Sequence, residues 1–223
     1  MITLRNVKKS YRDGDHERTV LAIDALELGD CSQWALVGPS GSGKSTLLHL
    51  LAGLTRAQEG VIQIDGTDLT ACRESQLDEF RAAHVGYVMQ NFSLLPTLRA
   101  RDNILAGAFF ARTPDRAHTD AAEELLRSVG LPERGHQLPR ELSMGEQQRV
   151  AVARALIKNP DYIFADEPTA SLDRATGMAV IELLQQRARA ASATLIVATH
   201  DKDVAAKLDG TIRLEGGRLC CAK

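Results

Sequence analysis

Two hydrophobic rhythms divide this 223-residue chain. Near the N-terminus apolar positions alternate with polar ones, as in Ile2-Thr3-Leu4 and Leu26-Glu27-Leu28. A period of two puts successive side chains on opposite faces, so these segments predict antiparallel strands. Val61-Ile62-Gln63-Ile64 reads as another strand, followed by a turn at Asp65-Gly66. Elsewhere the apolar runs are short and do not alternate: Trp34-Ala35-Leu36-Val37, Val85-Gly86-Tyr87-Val88-Met89 ending at Gln90, Tyr162-Ile163-Phe164-Ala165, and Thr194 to Thr199. Helical stretches lie between them, over Ser45 to Ala52, Glu74 to Ala83, Ser143 to about Lys158 (stopped by Asn159-Pro160), and Arg174 to Ala190. Continuous apolar strands alternating with helices predict an α/β fold, with a mostly parallel sheet covered on both faces. From about Phe92 to Arg140 the pattern turns helical, with breaks at Pro96, Pro114, Pro132 and Pro139 and its clearest helix over Asp120 to Val129.

Composition narrows the classes. The length suits one sizeable core with an appended lobe, and 44% apolar residues is ordinary for a globular protein. A net charge of -2 gives no polybasic signature, which argues against nucleic acid as the main partner. Cys31, Cys72, Cys220 and Cys221 have no metal-ligand spacing, and reduced thiols in a cytosolic protein are the simpler reading. No signal peptide is evident, and no apolar stretch approaches the roughly twenty residues that span a bilayer. A membrane function would therefore come through a partner chain.

Gly38-Pro39-Ser40-Gly41-Ser42-Gly43-Lys44-Ser45 fits the phosphate-loop spacing G-x-x-x-x-G-K-[ST]. Glycines let the backbone fold tightly, so that successive N–H groups point at a phosphate. Lys44 would set an ammonium beside the β- and γ-phosphates, and the Ser45 hydroxyl would ligate Mg²⁺. A strand enters the loop and a helix leaves it, so the helix N-terminus faces the anion. The plain alternative, a Gly/Ser-rich surface turn with a stray lysine, does not account for that context.

Other polar residues stand at element ends. Asp166 and Glu167 close an apolar strand, where open parallel sheets bind ligands. Asp166 would hold Mg²⁺, and Glu167 would orient or deprotonate an attacking water. Two solvated acids before a Pro turn are the alternative. His200 ends the next strand, as a cap or as a partner of the γ-phosphate and the water. Gln90 is an ordinary strand-end amide or a metal or water contact. Tyr11 is a partly buried strand tyrosine or a flat face for adenine. Ser143 and Glu146, three apart, form a capping box; the same helix start is a candidate anion site.

With these landmarks in order, the chain resembles the ABC-transporter ATPase family over essentially its full length. Tyr11 matches the adenine-stacking aromatic, Gly38 to Thr46 the Walker A loop, Gln90 the Q-loop, and Leu142 to Glu146 the signature. Asp166 and Glu167 match the Walker B aspartate and the catalytic glutamate, Ser171-Leu172-Asp173 the D-loop, and His200 the switch histidine. The resemblance implies a P-loop NTPase (RecA-like) core over 1–90 and 151–223, with an N-terminal antiparallel β-subdomain and a helical subdomain over 91–150. It implies ATP hydrolysis to ADP and phosphate with Mg²⁺ on Ser45, Gln90 and Asp166, and catalysis by Glu167, His200 and Lys44. Two copies would pack head to tail around two ATP, with Ser143, Gly145, Glu146 and Asp173 serving the nucleotide. A membrane permease would be the second partner, placing the chain peripherally at the cytoplasmic face of the inner or plasma membrane.

The segment Asn91 to Leu98 with Asp102-Asn103-Ile104 is similar to the macrolide-export, lipoprotein-release and peptide-efflux group, which points to export. Cell-division regulators that use the same clamp without translocation are the alternative. DNA-repair and translation members fit less well, because the chain has no coiled-coil insertion or tandem cassette. One departure stands out: Met144 replaces the first signature glycine. A Cβ there restricts the backbone and adds bulk near the trans phosphate. Either the position tolerates it or closure is weakened.

Overall fold

The computed structural model describes residues 1–14, 16–109 and 115–222, so the predicted break at Pro114 lies outside the described residues. In chain order the elements are β1 (Ile2–Asp13), β2 (His16–Leu28), β3 (Gln33–Val37), α1 (Lys44–Leu51), β4 (Glu59–Ile64), β5 (Thr67–Asp68), α2 (Glu74–His84) and β6 (Val85–Val88). There follow α3 (Ala100–Phe109), α4 (Arg116–Ser128), a 3-10 turn (Pro139–Glu141), α5 (Met144–Leu156), β7 (Tyr162–Asp166) and α6 (Arg174–Ala190). The chain ends with β8 (Thr194–Ala198), α7 (Lys202–Ala205), β9 (Gly210–Glu215) and β10 (Arg218–Ala222). They divide into two compact units, one of Met1–Arg81 with the chain from Ile196 onward, the other of Ala82–Leu195.

In the first unit β2, β1, β4 and β5 form an antiparallel sheet in that order. The predicted alternation sets its register. Ile2 lies opposite Leu28 and Ile64, and Leu4 opposite Leu26 and Ile62. All six are buried, each stabilising by about 1.5–3 kcal/mol. A one-residue slip would turn every one of them to the other face. A second set of strands runs β10-β9-β3, with β9 parallel to β3 and antiparallel to β10. The Gly216-Gly217 turn joining β9 to β10 docks on β2, where the Ala22 N–H donates to the Gly217 carbonyl at 2.8 Å. A Cβ on Gly217 would come within 2.3 Å of the Val20 carbonyl oxygen. Helix α1 buries Leu47, Leu48, Leu50 and Leu51.

In the second unit β6 runs parallel to β7, Val85 opposite Tyr162 and Val88 opposite Ala165. The backbone of β6 lies against α5, because a Cβ on Gly86 would meet the Ala155 carbonyl oxygen at 2.4 Å. Ile104 and Ala108 of α3, Leu125 and Leu126 of α4, and Val150 and Ala153 of α5 are buried. The helix predicted to open at Asp120 instead opens at Arg116. Asp115 moves the start forward: its carboxylate accepts the His118 N–H at 3.1 Å. The segment before α3 is irregular rather than helical. It is held by the fully buried Asn103, whose Oδ1 accepts the Leu95 N–H at 2.7 Å and whose Nδ2 donates to the Leu98 carbonyl at 2.8 Å.

Candidate functional site

The loop from Gly38 to Gly43 leaves β3 in the first unit and needs its glycines for two different reasons. A Cβ on Gly38 would lie 2.1 Å from the Leu214 carbonyl oxygen and 2.8 Å from Ser42 Oγ, so no larger residue fits. Gly43 caps α1 with φ 101°, in the left-handed region, and a Cβ there would also strike Leu21 Cδ2 at 2.7 Å. The helix begins at Lys44, one residue earlier than expected. Its N-cap offers no side-chain hydrogen bond, so the first-turn amides are not consumed by a cap. Ser42 is buried, and its Oγ has no hydrogen-bond partner among the described residues. A buried hydroxyl in that condition is uncommon. The Lys44 ammonium lies back over the loop, donating to the Gly38 and Pro39 carbonyls at 2.9 and 3.2 Å. Pro39, Ser40 and Gly41 are exposed; Ser45 and Thr46 are half-buried.

Two further candidates belong to this unit. His200 is exposed and follows Thr199, whose N–H donates to the Leu36 carbonyl at 3.1 Å. That bond ties the strand end before His200 to β3 two residues before the loop. Tyr11, on β1 opposite Arg18, is 45% exposed rather than a core residue. The Lys9 ammonium stands 5.0 Å from its ring centroid and donates to the Arg56 carbonyl at 2.7 Å. One face of the ring is thus covered by a cation. Burial lowers the Lys9 pKa from its ordinary value. Lys9 was missed from the sequence, although its spacing of two from Tyr11 puts both on one face of the strand.

The second unit carries the other candidates. Gln90 is exposed in a turn two residues beyond β6, not on the strand end itself. Asp166 closes β7 at 4% exposure, and Glu167 follows at 9%. Neither is a solvated acid. Glu167 has φ 48°, a left-handed conformation that costs a glutamate about 1–3 kcal/mol and must be imposed by its surroundings. Burial, with the Asp166 charge as a smaller cause, raises the Tyr87 hydroxyl well above the usual tyrosine range. Asp173 caps α6 by accepting the Thr176 N–H at 3.1 Å, and hydrogen bonds from Thr176 hold its carboxyl below the ordinary value.

The start of α5 is the capping box read from the sequence. Ser143 Oγ accepts the Glu146 N–H at 3.3 Å, and the Ser143 N–H donates to the Glu146 carboxylate at 2.8 Å. That backbone bond lowers the Glu146 pKa, and Arg134 pairs with the carboxylate at 3.2 Å. Met144 is the first helical residue, has no left-handed φ, and is 64% exposed. Its Cβ therefore introduces no backbone strain, which removes one of the two objections to it. Gly145 is the tighter position: a Cβ would lie 3.2 Å from Leu172 Cδ2 and 3.3 Å from the Ser171 carbonyl. The fold thus brings the signature segment against the stretch that ends at Asp173. Among the described residues no helix is long and apolar enough to cross a membrane.

Comparison with known proteins identifies the family and the fold. The ABC transporter family pattern matches residues 24–170. The uncharacterised ABC transporter ATP-binding protein YbbA of Escherichia coli K12 is 42% identical over 219 residues, covering 98% of this chain and 96% of that protein. The lipoprotein-releasing system ATP-binding protein LolD of a Shewanella species is 40% identical over 220 residues, covering 98% and 95%. The dimeric, post-hydrolysis structure of the ATP-binding cassette MJ0796 bound to ADP and Pi superposes with a TM-score of 0.95 at 34% identity, over 100% of this chain and 98% of that one. Loop chemistry, α/β fold and relatives agree: the chain belongs to the ABC transporter family, with the P-loop NTPase fold of its ATP-binding cassettes.

Proposed function

We propose that this chain is the ATP-hydrolysing subunit of an ABC exporter, closing as a head-to-tail homodimer around two ATP to drive a separate membrane permease. The observation that carries the reading is the loop before α1. It has a glycine backbone that admits no Cβ at positions 38 and 43, a buried Ser42 hydroxyl with no hydrogen-bond partner among the described residues, and an uncapped helix start. The names of LolD and YbbA, and the ADP and Pi in the MJ0796 dimer, support it.

Roles follow from residue chemistry. Backbone amides of Gly38 to Thr46 cradle the phosphates, and Lys44 leaves the loop carbonyls to neutralise the β- and γ-oxygens. Tyr11 stacks on adenine with the face that Lys9 does not cover. Mg²⁺ fits the donor set: the Ser45 hydroxyl, the Asp166 carboxylate and the Gln90 amide oxygen are hard ligands, and this ion takes few protein groups. Bound there, it would offset charge developing on the phosphates. Glu167 orients the water and accepts its proton as the water oxygen attacks the γ-phosphorus and the bond to the ADP oxygen breaks. His200 holds the γ-phosphate. Ser143 and the Gly145 amide of one copy reach the γ-phosphate on the other, beside Glu146 and Asp173.

ATP drives closure only by binding the closed dimer better than the open chain. A near-complete switch needs roughly 5.5 kcal/mol of difference, within reach of two shared nucleotides. Residues 91–150 form the helical subdomain in this reading, and 1–90 with 151–223 form the core. The similarity to LolD supports lipoprotein or peptide extrusion as the process driven, with this chain peripheral at the cytoplasmic membrane face through its permease. The test is Glu167→Gln. It should bind ATP, trap a dimer detectable by size-exclusion chromatography, and lower kcat by about 10²–10⁴-fold. Hydrolysis at the parent rate would overturn the catalytic assignment, and pull-down of a permease from native membranes checks the partner.

A further inference from the structure

Arg154 lies on α5, about 16 Å along the helix axis from Ser143. Its guanidinium reaches out of the helix to two successive main-chain carbonyls, donating through one nitrogen to Ser93 and through the other to Phe92, both at 2.6 Å. Such short bonds are typical of charged donors. The residues it grips are unusual. Phe92 has φ 61° and Ser93 φ 47°, two consecutive non-glycine residues in the left-handed region. The turn they make folds back around Gln90: the Phe92 N–H donates to the Met89 carbonyl at 3.2 Å, and the Ser93 N–H to the Asn91 carbonyl at 2.6 Å. Arg154 also packs against α3, where a Cβ on Gly107 would come within 2.3 Å of the Arg154 carbonyl oxygen and 3.1 Å of its Cγ.

We propose that Arg154 is a positioning residue that fastens the segment after Gln90 to helix α5, so that Gln90 and Ser143 shift together when ATP closes the dimer. The proposal rests on the roles assigned above to those two residues. Its chemistry explains the choice of side chain. A planar guanidinium satisfies two neighbouring carbonyls with two separate nitrogens, and a lysine ammonium cannot reproduce that fork. No contact with nucleotide is required of Arg154, so its loss acts on closure and turnover and leaves the phosphate loop intact.

The test uses the full chain. In the Glu167→Gln background, Arg154→Gln should bind ATP as the parent does, yet form a dimer about tenfold weaker at saturating ATP. In the hydrolysing protein, kcat should fall by a similar factor at unchanged KM, with Arg154→Lys in between. Ser93→Gly should restore part of the loss, because glycine takes a positive φ without being held there. Parental kcat and dimerisation in folded Arg154→Gln would overturn the proposal. So would a loss that tracks ATP binding and ignores Ser93→Gly. If Arg154→Gln does not fold, Arg154→Lys decides: lowered kcat at constant KM supports the clamp, and unchanged kcat overturns it. If Glu167→Gln alone forms no ATP dimer, the underlying reading falls and the clamp with it. A normal dimer there with no Arg154 effect removes the clamp alone.

Discussion

Helix α1 begins at a glycine and helix α5 at a serine, and the two starts leave different groups available to an anion. At α1 the cap is Gly43, with a backbone only glycine adopts easily and no side chain to take up the first amides. At α5 the cap is Ser143, which already accepts the Glu146 amide, while the Glu146 carboxylate returns to Ser143 and adds a negative charge at the positive end of the helix. The first start is suited to bind phosphate within a single chain. The second is largely self-satisfied, so its remaining amides gain most when phosphate is delivered already bound. The side chains follow the same division. Position 43 admits no Cβ, whereas position 144 carries a whole methionine exposed on a right-handed helical turn.

Four substitutions test this contrast. The largest effect should come from Lys44→Ala. Removing the charged donor at the α1 start should weaken ATP binding by about 100-fold, near 2.7 kcal/mol, measured by nucleotide titration. Unaltered affinity would show that α1 binds without its lysine and would collapse the distinction.

Ser143→Ala is next. Loss of the cap should cost about 1 kcal/mol of stability, or roughly 2–4 °C in Tm, with ATP binding by the monomer unchanged. The box also carries a pH signature. The folded Glu146 pKa is lowered, so its stabilising contribution is complete above the unfolded carboxylate value of about 4.3 and is lost as pH falls through the folded value. Glu146→Gln should flatten that acid limb in thermal melts, and an identical limb in both proteins would argue against the box.

Met144→Gly should do least. It should lower stability by less than about 1 kcal/mol, the ordinary helix cost of glycine, and leave ATP-driven dimerisation in place. A large gain in dimerisation would show instead that the methionine had been restraining closure.

Some of the molecule was legible in the sequence because its causes are local. The loop at 38–45, the box at 143–146 and the helix over Arg174–Ala190 depend on residues within a turn of one another. The alternation of Ile2, Leu4, Leu26 and Leu28 marked both segments as strands with one buried face, while their pairing as β1 and β2 came only from the structure. Other features were not legible. The helix predicted over Asp120–Val129 began early because Asp115, outside the apolar stripe, supplied the cap. The β9–β10 hairpin was not read, because the pattern gives no length for its strands apart from the partners they pair with.

By itself the sequence determined the repertoire: a phosphate loop, a capped helix start, carboxylates at a strand end, and strands and helices enough for an α/β fold. Only the tertiary structure decided what those residues experience. It buried Asp166 and turned Glu167 left-handed, set Lys9 over Tyr11, and laid the Arg154 guanidinium across the carbonyls after Gln90. The physical reason is range. Propensity, caps and periodicity act between residues a few positions apart, whereas burial, strain and a side chain's reach to a distant backbone exist only once remote segments pack.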